Sequence, residues 1–103
     1  MVMEFVLSEK KAQTLGYTVD ACYDVIDRIF AEYGVKPEKQ GFYRGPNKQH
    51  IYDACITTSK RLLTSSWFLK VVDEWYWRVK SDDINAREDC LASYYRVQKM
   101  NLI

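Results

Sequence analysis

Residues 67–80, WFLKVVDEWYWRVK, put three tryptophans within eleven positions, and the need to bury that much indole constrains everything built around the stretch. Trp67, Val71, Trp75 and Val79 recur every fourth position, which is helical spacing, and Phe68, Val72 and Tyr76 widen the same apolar half of the wheel. Glu74 and Arg78 stand four apart on the opposite half, where they can pair. Trp77 falls on that polar half, beside Lys70, Asp73 and Glu74. Two short strands, WFLKVV and WYWRVK, are the competing reading because both are rich in β-branched and aromatic residues. Their junction would be Asp73-Glu74, which lacks the glycine or asparagine that tight hairpins favour, so the helix is preferred.

The remaining pattern is also mostly helical. After a short strand at Met3 to Leu7, Ser8 caps a brief helix that ends at Gly16. Thr18 caps a second, along which Val19, Cys22, Tyr23, Ile26, Phe30 and Tyr33 repeat at helical spacing until Gly34. Lys36 to Lys48 holds both prolines and two of the four glycines and reads as the main loop, with an extended piece at Gly41 to Arg44. Asn47 caps a third helix carrying Ile51, Tyr52, Cys55, Ile56, Leu62 and Leu63 on one side, although Thr57 and Thr58 weaken it. Ser81, Asp82 or Asp83 caps a last helix with Ile84, Cys90, Leu91, Tyr94 and Val97 inward, and residues 100–103 fray. The expected fold is an all-α bundle of four to five helices forming one domain over residues 1–103, with room for a short extended segment near the N-terminus or at 41–44. Its expected core includes Ile26, Phe30, Leu63, Val72, Trp75 and Leu91.

A chain of 103 residues that is 48% hydrophobic and 28% charged can build one hydrophobic core. Cys22, Cys55 and Cys90 are odd in number, widely spaced and form no CxxC pair, which predicts free core thiols in a reducing, cytoplasmic setting. No apolar run approaches the length of a membrane span, and no basic stretch precedes the short apolar segment at the N-terminus, so no membrane partner is expected.

Chemistry-bearing patterns are sparse. His50 and Cys55 are five apart, on different faces of a helix, and no ligand spacing suits zinc. There is no nucleophile elbow, phosphate-binding glycine loop or HExxH, so neither catalysis, a cofactor nor a metal is expected. Asp20, Asp24 and Asp27 form an acidic stripe that reads as a solvated helix face rather than a cation site.

The stretch KAQTLGYTVDACYDVI, residues 11–26, resembles the helix-turn-helix of DNA-binding regulators, with Ala12, Gly16 and Cys22 at the positions that hold two helices together and Thr18 opening the second. That second helix presents Asp20, Asp24 and Asp27 where phosphates would approach, and repulsion opposes such docking. Residues 36–70 carry seven basic and two acidic side chains, whereas residues 1–35 carry three and six. Two functions are therefore weighed. The first is a non-catalytic interaction module, self-associating or binding a protein partner through an aromatic helix face of Trp77, Tyr76 and Arg78. The alternative is a nucleic-acid-binding accessory or regulatory protein using Lys36, Lys39, Phe42, Tyr43, Arg44, Lys48, Lys60 and Arg61. A net charge of only +1 favours the first.

Overall fold

The computed structural model describes residues 1–79 and 83–100. It shows an α/β fold around a five-stranded antiparallel sheet, which overturns the expected all-α helical bundle. The chain runs β1 (Val2–Leu7), α1 (Glu9–Thr14), α2 (Val19–Ala31), β2 (Pro37–Lys39), β3 (Phe42–Arg44), α3 (Gln49–Thr64), α4 (Phe68–Val71), β4 (Val72–Arg78), a single 3₁₀ turn (Ile84–Ala86), β5 (Glu88–Asp89) and α5 (Cys90–Met100). The sheet order is β2-β3-β1-β4-β5. Each helical excursion returns two strands away, so β3 lies between β1 and β2, and β1 lies between β3 and β4, giving two interlocked split β-α-β units.

The tryptophan stretch is where the helix reading fails. It makes one helical turn, α4, and then a seven-residue strand that passes through Asp73 and Glu74, the place where two strands would have met, with a register shift against β1 at Asp73. Side chains alternate along a strand, so Trp75 and Trp77 point to the same side. Their β1 neighbours are Phe5 and Met3. The indole that a helix put among charges is thus the one a strand puts beside its fellow.

Ser8 and Thr18 cap α1 and α2 as expected, their hydroxyls accepting from Lys11 and Ala21 N–H at 3.1 Å. Lys48, not Asn47, precedes α3, and it makes no side-chain cap; Thr57 and Thr58 lie within an unbroken helix, where Tyr33 Oη donates to Thr57 Oγ1. The extended piece expected near residue 41 is a hairpin between β2 and β3. Gly41 turns it with φ of +76°, and a Cβ there would stand 2.3 Å from the Phe5 carbonyl oxygen. The last helix starts at Cys90, capped by Asp89, which accepts from Ala92 N–H at 3.0 Å. Asp83 caps only the 3₁₀ turn, Ile84 is exposed, and Ser81, Asp82 and the tail at 101–103 lie outside the described residues.

The helices pack on one face of the sheet. Met3, Phe5 and Leu7 of β1, Tyr43 of β3 and Trp75 of β4 meet Cys22, Ile26 and Phe30 of α2, Ala54, Cys55 and Leu62 of α3, and Phe68 of α4 in one core cluster. Aromatic edges fix this core: Phe68 meets Phe5 at 5.9 Å and Trp75 at 5.4 Å between ring centres, both near perpendicular. Ile26, Phe30, Val72 and Trp75 are buried as expected, whereas Leu63 and Leu91 only pack against its rim.

Candidate interaction surface

The alternation that sends Met3, Phe5 and Leu7 into the core sends Val2, Glu4 and Val6 to the other face of β1. No helix covers that face among the described residues. Cross-strand register then assembles a surface that no local pattern contains. Glu4 lies between Phe42 on β3 and Tyr76 on β4, and Asp89 of β5 is next to Tyr76. One row along, Val2 lies between Arg44 and Arg78 and is only 3% exposed, so the open part of the face centres on Phe42, Tyr76 and Val6. Val6, opposite Glu74, is 43% exposed.

Charges and rings interlock here. Arg78 binds Glu4 at 3.2 Å and Arg87 reaches the same carboxylate at 3.9 Å. The Arg87 guanidinium lies 3.6 Å above the centre of the Tyr76 ring, while Lys39 and Arg44 stand 5.2 and 5.4 Å from that of Phe42. Arg44 also binds Glu38 at 3.1 Å. The Tyr76 hydroxyl donates to Glu74 at 2.9 Å, and this bond to a carboxylate pushes its ionisation upward, with Arg87 opposing. Among the described residues this face carries Lys39, Arg44, Arg78 and Arg87 beside Glu4, Glu38, Glu74 and Asp89, so their charges balance.

Strand alternation divides the first candidate set. Tyr76 and Arg78 lie on the open face, but Trp77 faces the helices, its ring 5.4 Å from that of Tyr52. There is no aromatic helix face, because these residues are on a strand. Trp75 and Trp77 instead floor a groove between α3 and α5, and among the described residues the Trp75 indole N–H is buried without a hydrogen-bond partner. The basic set is divided as well. Lys39, Phe42 and Arg44 join Tyr76 and Arg78 on the open face, whereas Tyr43 is in the core, stacked on Phe30 at 4.0 Å, with its hydroxyl donating to Asp27. Lys60 and Arg61 are exposed on α3, across the sheet, Arg61 binding Glu32. Lys36 lies in the loop before β2, and Lys48 immediately before α3. Glu4 and Arg87 were in neither set; only strand pairing brings them to the site.

The other motifs resolve structurally. In the segment that resembles a helix-turn-helix, α2 packs on the sheet through Tyr23, Ile26, Ile29 and Phe30, with Asp20 accepting from Gln40 and Asp27 from Tyr43. His50 is exposed while Cys55 is buried. Burial pushes the Cys22 thiol upward and that of Cys55 up to about 11, the latter against the N-terminal ammonium and the Trp77 indole. Cys90 is pushed to about 12 by burial, then by Glu88 and Asp89. Among the described residues, no helix is long and apolar enough to cross a membrane. No protein-family model matches the chain, and no curated protein is significantly similar to it.

Proposed function

We propose that the chain is a non-catalytic interaction module that pairs with a second copy of itself through the open face of the sheet. The observation that carries this reading is the charge balance of that face: among the described residues, four cations and four anions surround Phe42, Tyr76 and exposed Val6. A two-fold contact brings one surface against itself and must be self-complementary, which a face of one sign cannot be. Tyrosine and arginine are also the residues that most often dominate binding energy. The free thiols at Cys22, Cys55 and Cys90 support a cytoplasmic setting.

One observation favours a second reading. Phe42 beside Lys39 and Arg44, and Tyr76 beneath Arg87, put rings and guanidinium planes on an open antiparallel sheet, the kind of platform on which single-stranded nucleic acid stacks its bases. The balanced charge opposes it, because affinity for phosphates grows with the number of counterions that uncompensated cations release. Light scattering over a concentration series, with fluorescence anisotropy of a labelled single-stranded oligonucleotide at increasing salt, separates the two. Self-pairing predicts a mass that rises toward twice the monomer with no oligonucleotide bound. A monomer that binds the oligonucleotide with steep salt dependence would replace the first reading with the second, and a monomer that binds nothing would remove both.

A further inference from the structure

Glu4 occupies the centre of the open face. It lies on the middle strand β1, with Phe42 beside it on β3 and Tyr76 beside it on β4. The two flanking strands are roughly 10 Å apart, twice the spacing of paired strands. One oxygen of the Glu4 carboxylate binds Arg78 at 3.2 Å, and the other meets Arg87 at 3.9 Å. The Glu4 and Arg78 side chains are only 22% and 10% exposed, so water and salt screen this pair far less than an ion pair on an open surface. The Arg87 guanidinium, over the Tyr76 ring at 3.6 Å, shares the same carboxylate. A single negative charge midway between the two rings thus engages two guanidinium groups.

A single-stranded nucleic acid that stacked one base on Phe42 and another on Tyr76 would carry its sugar-phosphate link across this midpoint. The group it meets there is a carboxylate, which repels a phosphate and holds the Arg87 cation that would otherwise attract one. The rest of the face suits such a ligand, since Lys39 and Arg44 stand beside the Phe42 ring. We infer that Glu4 is the specificity-determining residue of the open face: it keeps phosphate polymers off an aromatic, cationic sheet and leaves that sheet to a protein surface. Discrimination of this kind is achieved by placing a repulsive group against the wrong ligand. The inference rests on the reading of the open face as the interaction surface. Position matters more than net charge here, because Glu4 is the half-dry group between the rings, whereas Glu38 on the edge strand β2 is 56% exposed.

The test removes the charge in two ways, by Glu4→Gln, which keeps the side chain's shape, and by Glu4→Thr, which keeps strand preference. Each full-length variant is titrated against a fluorescein-labelled single-stranded oligodeoxynucleotide by anisotropy at increasing salt, with circular dichroism as the check on folding. Glu9→Gln, at an exposed position on α1, makes the same change in net charge away from the face. The inference predicts no binding by wild type or Glu9→Gln, and an affinity gain of at least tenfold in the Glu4 variants. The gained binding should weaken with salt at a log–log slope of about −0.7 for each phosphate engaged. Adding Arg87→Gln to Glu4→Gln should reverse the gain. Wild type binding as well as the Glu4 variants, an equal gain in Glu9→Gln, a gain that survives Arg87→Gln, or no gain at all would each overturn the inference. So would loss of the fold in both Glu4 variants, since Glu4 would then be a structural residue. Failure of the self-pairing reading has a different signature: wild type stays monomeric in sedimentation velocity at every concentration, and the oligonucleotide titrations still decide the role of Glu4.

Discussion

Replacing Tyr43 with phenylalanine removes one hydrogen bond from the core while leaving the stack on Phe30 in place. The ring stays 4.0 Å from that of Phe30, at an interplanar angle of 11°, and only the donation to Asp27 is lost. Hydrogen bonds to charged groups contribute about 1.5–3 kcal/mol net. Asp27 is only half-buried, so water can take over its carboxylate, and the cost falls to the lower end, about 1–2 kcal/mol. With a urea dependence of about 1–3 kcal/mol per molar, the unfolding midpoint should drop by roughly 0.3–2 M at pH 7. Alkaline pH supplies the sharper test. Burial, then the Asp27 hydrogen bond and charge, raise the Tyr43 hydroxyl well above the ordinary phenol range. A raised folded value means that the folded chain holds a proton which the unfolded chain gives up above about pH 10. The associated stability is therefore fully present below that pH and is lost as pH climbs toward the folded value. Urea titrations at pH 7 and pH 10.5 should show the wild-type advantage over Tyr43→Phe shrinking at the higher pH. An advantage that stays constant or grows, or Tyr43→Phe matching wild type at pH 7, would refute this account of the bond.

The tryptophans should separate in the same assay: Trp75→Ala, at a 3% exposed core site, should cost about 3–5 kcal/mol, and Trp77→Ala, at the groove floor, measurably less. A larger loss at Trp77 would mean that the groove is closed core. Gly41→Ala forces a Cβ against the Phe5 carbonyl and a side chain into left-handed backbone, and should lower stability by upwards of about 2 kcal/mol in thermal melts; a neutral result would contradict the hairpin. All three thiols are shifted upward, so a thiol reagent at pH 8 should modify the native protein slowly and the urea-unfolded protein fast, with a rapid native reaction at Cys55 counting against its burial.

Much of the fold could be read locally. Ser8 and Thr18 announce their helices because a cap depends on neighbours within one turn, and the strand at Met3 to Leu7 shows the alternation that its two unlike faces require. The tryptophan stretch misled because residues 67, 71, 75 and 79 satisfy a helix and an interrupted strand alike. The discriminating signal was Trp77 itself: its position fits period two with Trp75 and contradicts period 3.6. Asp73 and Glu74 make a poor hairpin turn and so argued for a helix, yet they are tolerated mid-strand because the register against β1 shifts there, Glu74 is on the solvent face opposite Val6 and Asp73 pairs with Lys11 at 2.7 Å. The open face was legible only in fragments. Lys39, Phe42 and Arg44 are close in sequence and Tyr76 and Arg78 were singled out separately, but their meeting around Glu4 depends on strand order, which no single segment encodes.

Pairing of the sheet face is tested most directly by the exposure of Val6, which lies on that face and is 43% exposed in a single copy. NMR with a soluble paramagnetic probe at low and high protein concentration reads this from the Val6 methyl signals and the Phe42 and Tyr76 ring signals. Self-pairing predicts that the probe broadens these signals in dilute protein and progressively spares them as concentration rises, while exposed Val25 on α2 stays equally broadened throughout. Equal broadening of Val6, Phe42 and Tyr76 at every concentration would contradict the claim that this face pairs with itself.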